Sequence, residues 1–195
     1  MASNIRLVAG LGNIGREYTK TRHNAGFWFA NALAAELGAT FEANPKFAGD
    51  VARAGNLRLV KPATYMNLSG RSVGTLANFY AIAPEEILVV HDELDLKPGV
   101  VKMKLGGGVA GHNGLKDIRA ALGSADFWRL RLGIGHPRES ELSEQQVVDY
   151  VLKPPRPDER EAIDAAIAKA LAVWPSIAAG DLERAMLVLH TKEDE

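Results

Sequence analysis

The stretch that decides the fold is Ile5-Arg6-Leu7-Val8-Ala9-Gly10-Leu11-Gly12-Asn13-Ile14-Gly15. Its first half is the apolar run of a buried strand, and three glycines follow in the pattern G-x-G-x-x-G. Further along the chain, strand-like and helix-like segments alternate. This alternation predicts one α/β domain over residues 1–195, with a mixed, twisted β-sheet surrounded by helices. The helices from about residue 157 onward are expected to belong to the same domain.

Hydrophobic periodicity and turn residues give the positions of the individual elements. We predict strands at 5–10, 51–53, 57–60, 87–90, 100–105 and 128–133. We predict helices at 25–37, 69–80, 114–122 and 158–172, and a last short helix after residue 181. Within 100–105 the two lysines fall on one face, since alternate strand residues point to opposite sides. In 128–133, Arg129 and Arg131 alternate with apolar residues in the same way.

The glycine motif has a familiar alternative meaning. G-x-G-x-x-G after a strand is the fingerprint of dinucleotide binding, in which a helix opens at the third glycine and holds the pyrophosphate at its N-terminus. Here residues 16–24, which follow Gly15, are polar and show no helical period. A nicotinamide-dependent oxidoreductase is therefore kept as the alternative to the function developed below.

Composition excludes several classes of function. The chain has 195 residues and no cysteine, so a disulfide scaffold, a thiolate metal site and a cysteine nucleophile are ruled out. The sequence has no apolar run of the roughly 18 residues that a membrane helix needs. Its first residues lack the basic start and apolar stretch of a signal peptide. We therefore expect a cytoplasmic protein.

Charge is unevenly distributed along a chain whose net charge is −1. Residues 97–138 carry 8 basic and 2 acidic side chains, for a net charge of +6, whereas residues 139–195 have a net charge of −7. The basic residues are Lys97, Lys102, Lys104, Lys116, Arg119, Arg129, Arg131 and Arg138. Such a block could face a polyanion, or it could be ordinary surface balanced by the acidic tail. A non-catalytic RNA-binding module would explain the block but would leave the residues described next without a task.

Two histidines and one aspartate are candidates for acid–base chemistry. His23 lies where a polar loop meets a predicted helix, and its ordinary pKa near neutrality suits a general base. His112 is the rival base. Asp92 ends a buried strand, where catalytic carboxylates often lie in α/β proteins. Such a cluster could also hold a metal, but no H-E-x-x-H or comparable spacing supports a metal site, and we expect none.

Three asparagines occur at turns beside glycine or methionine: Asn13, Asn67 and Asn113. Each could simply stabilise its own turn, since asparagine tolerates left-handed backbone and bonds nearby peptide groups. Carboxamides also carry both a donor and an acceptor, which suits recognition of a peptide backbone. Both interpretations stay open on these residues alone.

Several of these segments together resemble bacterial peptidyl-tRNA hydrolases. The resemblance runs in order from about residue 5 to residue 155. The segments that carry it are Gly10-Leu11-Gly12-Asn13, Thr21-Arg22-His23-Asn24, Tyr65-Met66-Asn67-Leu68-Ser69-Gly70, His91-Asp92-Glu93-Leu94-Asp95, Gly111-His112-Asn113-Gly114 and Arg129-Leu130-Arg131-Leu132-Gly133. The sequence departs from the family at Ile14, where proline is usual, at Val109-Ala110 in the glycine-rich loop, and at Asn31, where an acid is usual.

The resemblance implies a monomeric enzyme that hydrolyses the ester between peptide and tRNA, with no cofactor. It implies that His23 activates water, that Asp92 orients it, and that Asn13 separates blocked from free aminoacyl-tRNA. It further implies that the substrate is contacted by Tyr18, Tyr65, Asn67 and Asn113. Met66 and His112 are expected to line the same cleft. Lys102, Lys104 and Arg131 are expected to contact tRNA phosphates. The partner is thus expected to be peptidyl-tRNA, bound at its acceptor end and 3′ terminus, with no membrane.

Overall fold

Seven strands form one mixed sheet in the computed structural model, which describes residues 4–109, 111–137 and 144–191. The strands are β1 (Leu7–Gly10), β2 (Glu42–Asn44), β3 (Gly49–Ala54), β4 (Leu57–Pro62), β5 (Ile87–Glu93), β6 (Val101–Leu105) and β7 (Trp128–Gly133). Their order is β2-β3-β4-β1-β5-β7-β6. The four central strands, β4, β1, β5 and β7, run parallel, and the outer strands pair antiparallel. The carboxyl ends of β1 and β5 therefore lie side by side at one edge of the sheet.

Helices cover both faces of this sheet. They are α1 (Ala25–Leu37), α2 (Ser69–Phe79), α3 (Asn113–Leu122), α4 (Glu144–Val151), α5 (Pro157–Ala172), α6 (Trp174–Ala178) and α7 (Leu182–His190). One core joins α1 to the C-terminal helices and includes Phe29, Ile163 and Trp174. The other core lies under α2 and α3 and includes Leu76 and Ile118. The central strands β1 and β5 are buried along their whole length, as parallel strands covered on both faces are.

The first helix meets the sheet at unusually short range. A Cβ on Gly10 would lie 2.4 Å from the carbonyl oxygen of Gly26, and a Cβ on Gly26 would lie 2.4 Å from the carbonyl oxygen of Val90. Only glycine at both positions lets the start of α1 cross directly over the ends of β1 and β5. This crossing holds the turn that precedes α1 against the edge of the sheet where the candidate site lies.

The predicted α/β fold is confirmed, with differences at its margins. Strand β5 runs to Glu93 rather than ending at residue 90, so Asp92 lies within it. The strands predicted at 51–53 and 57–60 form a hairpin that turns at Gly55-Asn56, since Ala54 pairs with Leu57. The sequence did not predict β2, α4 or α6. Among the described helices, none combines the length and apolar character needed to cross a bilayer.

The glycine motif does not form a dinucleotide cradle. After Gly15 the chain makes only a short 3₁₀ turn at Arg16–Tyr18, and the first α-helix begins at Ala25. The space beside Gly12 is filled, because a Cβ there would lie 2.8 Å from the ring of Phe27. The structural requirement of the oxidoreductase alternative is therefore not met.

Candidate active site

His23 and Asp92 meet at the carboxyl edge of the sheet. His23 lies in a 3₁₀ turn, Arg22–Asn24, that leads directly into α1. Its Nδ1 lies 2.9 Å and 3.0 Å from the two carboxylate oxygens of Asp92. A carboxylate only accepts hydrogen bonds, so Nδ1 of His23 is the donor and the lone pair of the neutral ring resides on Nε2. This arrangement is that of a histidine base oriented by a carboxylate.

His112 shares the same carboxylate, and its ring centre lies 5.2 Å from that of His23. Its Nε2 donates to Oδ1 of Asp92 at 3.0 Å. Its Nδ1 accepts the backbone N–H of Leu115 at 3.3 Å and so caps the N-terminus of α3. Both ring nitrogens are thus committed, and His112 has no free lone pair with which to take a proton from water. Of the two histidines that the sequence proposed as bases, the geometry favours His23.

The charge state of Asp92 follows from these two contacts. The side chain is buried, and burial alone would raise the pKa of its carboxyl group. The attraction of His23 and His112 and their hydrogen bonds outweigh that effect and hold the pKa well below its usual range. Asp92 is therefore an anion at neutral pH, able to stabilise a positive charge on His23.

His91 forms a third imidazole beneath the pair. It is 2% exposed, and its Nδ1 donates to the backbone carbonyl of Asp92 at 2.8 Å. Its ring packs edge-on against His112 at 5.1 Å between centroids. Burial, with the nearby His112 as a lesser cause, lowers the pKa of His91 to about 3. His91 is thus neutral at physiological pH and braces the backbone at Asp92.

Asn13 is fixed by two neighbours. The side chain of Asn24 bridges the backbone of Asn13, accepting its N–H at 2.8 Å and donating to its carbonyl at 3.0 Å. The side-chain oxygen of Asn13 accepts the N–H of Met66 at 2.7 Å. With the oxygen occupied, the amide nitrogen of Asn13 is the group left to meet a ligand. Asn24 belongs to one of the segments that carry the resemblance, but no role was predicted for it.

The other two carboxamides lie on facing turns. Met66 packs against the start of α3, since a Cβ on Gly114 would lie 2.7 Å from its sulfur. Asn67 follows Met66 and Asn113 precedes Gly114, and both side chains are exposed. Tyr65 is 58% exposed, whereas Tyr18 is half-buried in the loop before His23. The structure therefore brings Asn67 and Asn113 to one region and leaves their side chains accessible.

Like charges face one another on β6 and β7. Lys102 pairs directly with Arg131 in the strand register, and Lys104 pairs with Arg129. Like charges directly opposite one another destabilise a sheet unless other groups neutralise them. Part of the charge is already neutralised, because Arg131 donates to Glu93 at 2.8 Å. Burial and the nearby Arg131 lower the pKa of Lys104.

Comparison with known proteins identifies the family. The peptidyl-tRNA hydrolase family model matches residues 7–195. A peptidyl-tRNA hydrolase of Bordetella avium is 59% identical over 195 residues, covering 98% of this chain and 94% of the relative. One of Neisseria meningitidis is 56% identical over 196 residues, covering 98% and 100%. The chain belongs to the peptidyl-tRNA hydrolase family.

A solved structure agrees at the level of the fold. The peptidyl-tRNA hydrolase of Acinetobacter baumannii superimposes with a TM-score of 0.93 at 45% identity, covering 99% of this chain and 98% of the other. The expected family and its enzyme class, a hydrolase, are thereby confirmed. The match to the family includes the C-terminal helices α5 to α7, which lie beyond the segments that carried the resemblance.

One member of the basic block does not have the environment that the sequence predicted. Arg129 alternates with apolar residues along β7 as Arg131 does, and it was counted in the basic block, but Arg129 is fully buried. Its guanidinium donates to the carbonyls of Gly107, Gly108 and Ala125. Arg129 thus holds the glycine-rich loop of this peptidyl-tRNA hydrolase family member and is not free to bind phosphate. Arg138 and Ala110 lie outside the described residues.

The structure also has a recess away from the candidate site. A recess of about 750 Å³ lies at the opposite end of the sheet and is lined by Arg6, Arg58 and Trp174, among others, but by no histidine. A smaller cavity of about 230 Å³ adjoins His91 and His112 and extends to Lys104 and Arg131. The smaller cavity therefore connects the histidine cluster with the basic face of β6 and β7.

Three side chains of the site could hold a metal ion. The ligand atoms of His23, Asp92 and His112 lie within 4.8 Å of one another. In the arrangement described, the same atoms are satisfied by hydrogen bonds between the imidazoles and the carboxylate. Two imidazoles and a carboxylate would suit Zn²⁺ or another transition metal.

Proposed function

We propose that this chain hydrolyses the ester bond between a peptide and tRNA, releasing both for reuse, with water activated by His23. The observation that carries the proposal is the contact between His23 and Asp92, which leaves Nε2 of His23 free to act as a base, whereas His112 is committed at both nitrogens and His91 is buried. The reaction takes a proton from water at that nitrogen while the water oxygen attacks the carbonyl of the last peptide residue. A positioned general base accelerates such a step by about 10²–10⁴-fold.

Asp92 has two effects in this mechanism. It fixes the tautomer of His23 by accepting from Nδ1, and its negative charge stabilises the imidazolium that forms during attack. His112 contributes by holding the same carboxylate. It acts through Asp92 rather than as a base, because its own lone pair caps α3.

The role proposed for Asn13 is to select N-blocked substrates. Since its side-chain oxygen accepts from Met66, its amide nitrogen is the group that meets the substrate. A blocked aminoacyl group presents a carbonyl oxygen, which accepts from that nitrogen. A free aminoacyl group presents an ammonium, which would set donor against donor. Discrimination therefore follows from a repulsive contact as well as an attractive one.

A carboxamide is proposed to hold the oxyanion. Asn67 and Asn113 are both exposed and lie on facing turns. Asn113 is favoured because it opens α3, where the backbone N–H groups and the helix dipole also stabilise negative charge. Removal of an oxyanion donor costs about 10²–10³-fold in kcat. Alanine variants of both residues, compared in single-turnover assays, test the assignment, and a larger loss for Asn67 would reverse it.

Lys102, Lys104 and Arg131 are proposed to bind phosphates of the tRNA acceptor end. The opposed charges of β6 and β7 support this role, as does the cavity that links Lys104 and Arg131 to His91 and His112. Tyr18 and Tyr65 are proposed to contact the 3′ terminus or the peptide. The chain is proposed to act as a monomer in the cytoplasm, where translation produces the substrate.

The experiment that tests the function compares two substrates after removal of metals with a chelator. We expect N-acetyl-aminoacyl-tRNA to be cleaved and free aminoacyl-tRNA to be spared, with unchanged rates after chelation. Asn13→Asp retains an acceptor for Met66 but presents oxygen instead of nitrogen, so it should lose the preference for the blocked substrate. Loss of activity on chelation would overturn the metal-free mechanism, and an intact preference in Asn13→Asp would remove the proposed role of Asn13.

A further inference from the structure

The turn that carries His23 is tied to the C-terminal helices by a buried arginine. Arg22 is 7% exposed. Its guanidinium donates to the backbone carbonyl of Tyr150 at 3.0 Å and to Glu159 at 3.2 Å. Its backbone N–H donates to the carbonyl of Lys153 at 3.1 Å. Arg22, which directly precedes His23, thus ties the turn that carries His23 to α4, to α5 and to the segment between them.

The strand that carries Asp92 is tied to the same segment by a second route. The hydroxyl of Tyr150 donates to the carbonyl of Ile134 at 2.8 Å. The backbone N–H of Ile134 donates to the carbonyl of Glu93 at 3.0 Å, and Glu93 follows Asp92 in β5. Burial raises the pKa of Tyr150, so its hydroxyl keeps the proton that it donates.

The two routes meet at one contact. The guanidinium of Arg22 stacks on the ring of Tyr150, 3.9 Å from the ring centre. The chain next to His23 and the chain next to Asp92 are therefore joined through the side chains of Arg22 and Tyr150, which are in van der Waals contact. We propose that Arg22 and Tyr150 are positioning residues, which form a brace that sets His23 against Asp92 and makes this pair depend on the docking of α4.

The proposal rests on the role proposed above for His23, and it explains why a charged group is buried there. A buried guanidinium is costly unless it is fully paired. A cost at this position is reasonable if it holds a catalytic geometry, because a misplacement of about 1 Å can reduce a rate about 10²-fold. An ion pair at the surface, such as Arg160 with Asp164, could not impose the same constraint.

The test is a double-mutant cycle of Arg22→Met and Tyr150→Phe, with a matched control. Arg58 stacks on Tyr80 at 3.5 Å at the other end of the sheet, so Arg58→Met and Tyr80→Phe repeat the same chemistry far from the site. We expect each brace variant to lower kcat about tenfold or more with little change in KM, and the double variant to lose less than the product of the two. The control pair should leave kcat unchanged.

A second readout separates positioning from stability. The proton on Nδ1 of His23, which is bonded to Asp92, is followed by NMR in the free enzyme. We expect its signal to shift or to exchange faster in both brace variants and not in the controls. An unchanged kcat and an unchanged His23 signal in either variant would overturn the proposal. If Arg22→Met does not fold, Tyr150→Phe, which removes a single hydroxyl, decides it.

This readout also distinguishes the present proposal from the proposed function. The NMR signal is measured without substrate, so it reports the contact of His23 with Asp92 whatever the reaction. If His23→Ala kept full activity, the function proposed for His23 would fail. A perturbed His23 signal in Arg22→Met would still stand as a finding about the brace.

Discussion

The carboxyl ends of β1 and β5 differ sharply from the outer edge formed by β6 and β7. At the first region, Asp92 accepts from two imidazoles, and the side chain of Asn24 satisfies the backbone of Asn13. At the second, Lys102 faces Arg131 across two strands, with like charges opposed. Hydrogen bonds fix Asp92 and Asn13 before any ligand arrives, whereas opposed cations gain stability when an anion binds. On the proposed function, the first region is a preorganised reaction centre and the second is an electrostatic docking surface.

The largest effect is expected when His23, the proposed general base, is replaced. His23→Ala should lower kcat by about 10²–10⁴-fold, the usual contribution of a general base. His112→Ala should lower kcat less, because Asp92 keeps its bond to His23. It should also cost about 0.5–2 kcal/mol of stability through loss of the α3 cap. Single-turnover cleavage and urea unfolding of both variants check this, and the reverse order of the kcat losses would make His112 the base.

An effect of intermediate size is expected from acid. His91 is buried and neutral, so its folded pKa is depressed to about 3 while the unfolded chain titrates near the ordinary value of 6.5. Below pH 6.5 the unfolded state therefore binds more protons, and this part of the stability is lost as the pH falls toward 3. In this pH range, the free energy of unfolding should therefore change more steeply with pH in the wild type than in His91→Asn, by up to about 1.4 kcal/mol per pH unit.

The measurement for His91 is the free energy of unfolding by urea between pH 4 and 8, taken for both proteins. Above about pH 6.5 the two curves should run parallel, since His91 is neutral in the folded and unfolded states alike. Curves that stay parallel below that pH would mean that His91 does not titrate on unfolding. His91 would then no longer count among the groups of the first region whose state is fixed by burial.

The smallest effect is expected at the docking surface. Lys104→Ala should reduce the dependence of log affinity for tRNA on log salt by about one charge, with a modest loss of affinity. Arg53→Ala is the control, since Arg53 is exposed on β3 near the other edge of the sheet. Filter binding at several salt concentrations measures the slopes. Equal slopes for the two variants would make the β6–β7 edge ordinary surface.

The sequence predicted most of the framework because long elements carry strong periodic signals. Helix α1 begins and ends where the pattern placed it, at Ala25 and Leu37. The missed elements are short or weakly marked: β2 has three residues, α6 has five, and α4 begins in a run with little apolar spacing. For such elements, tertiary contacts decide the conformation more than local pattern does.

The residues of the candidate site could be named from the sequence, but the hydrogen bonds between them could not. His23, Asp92 and His112 were all named, yet nothing in the sequence shows that one carboxylate joins both rings. The burial of Arg129 was missed for a related reason, since its acceptors are backbone carbonyls, which every residue carries. Polar side chains that bond backbone across long separations leave no signature of their own.

The commitment of both nitrogens of His112, combined with the buried and neutral His91, limits how many protons the site can take up. Of the three neighbouring imidazoles, His23 is the best placed to take an additional proton, because burial opposes a proton on the unpaired Nε2 of His91. In the proposed reaction this proton comes from water, and the departing ribose oxygen of the tRNA needs one as the ester bond breaks. The group that acts as base in the first half of the turnover is then the acid in the second, so each cycle returns His23 to its starting state without exchange with solvent.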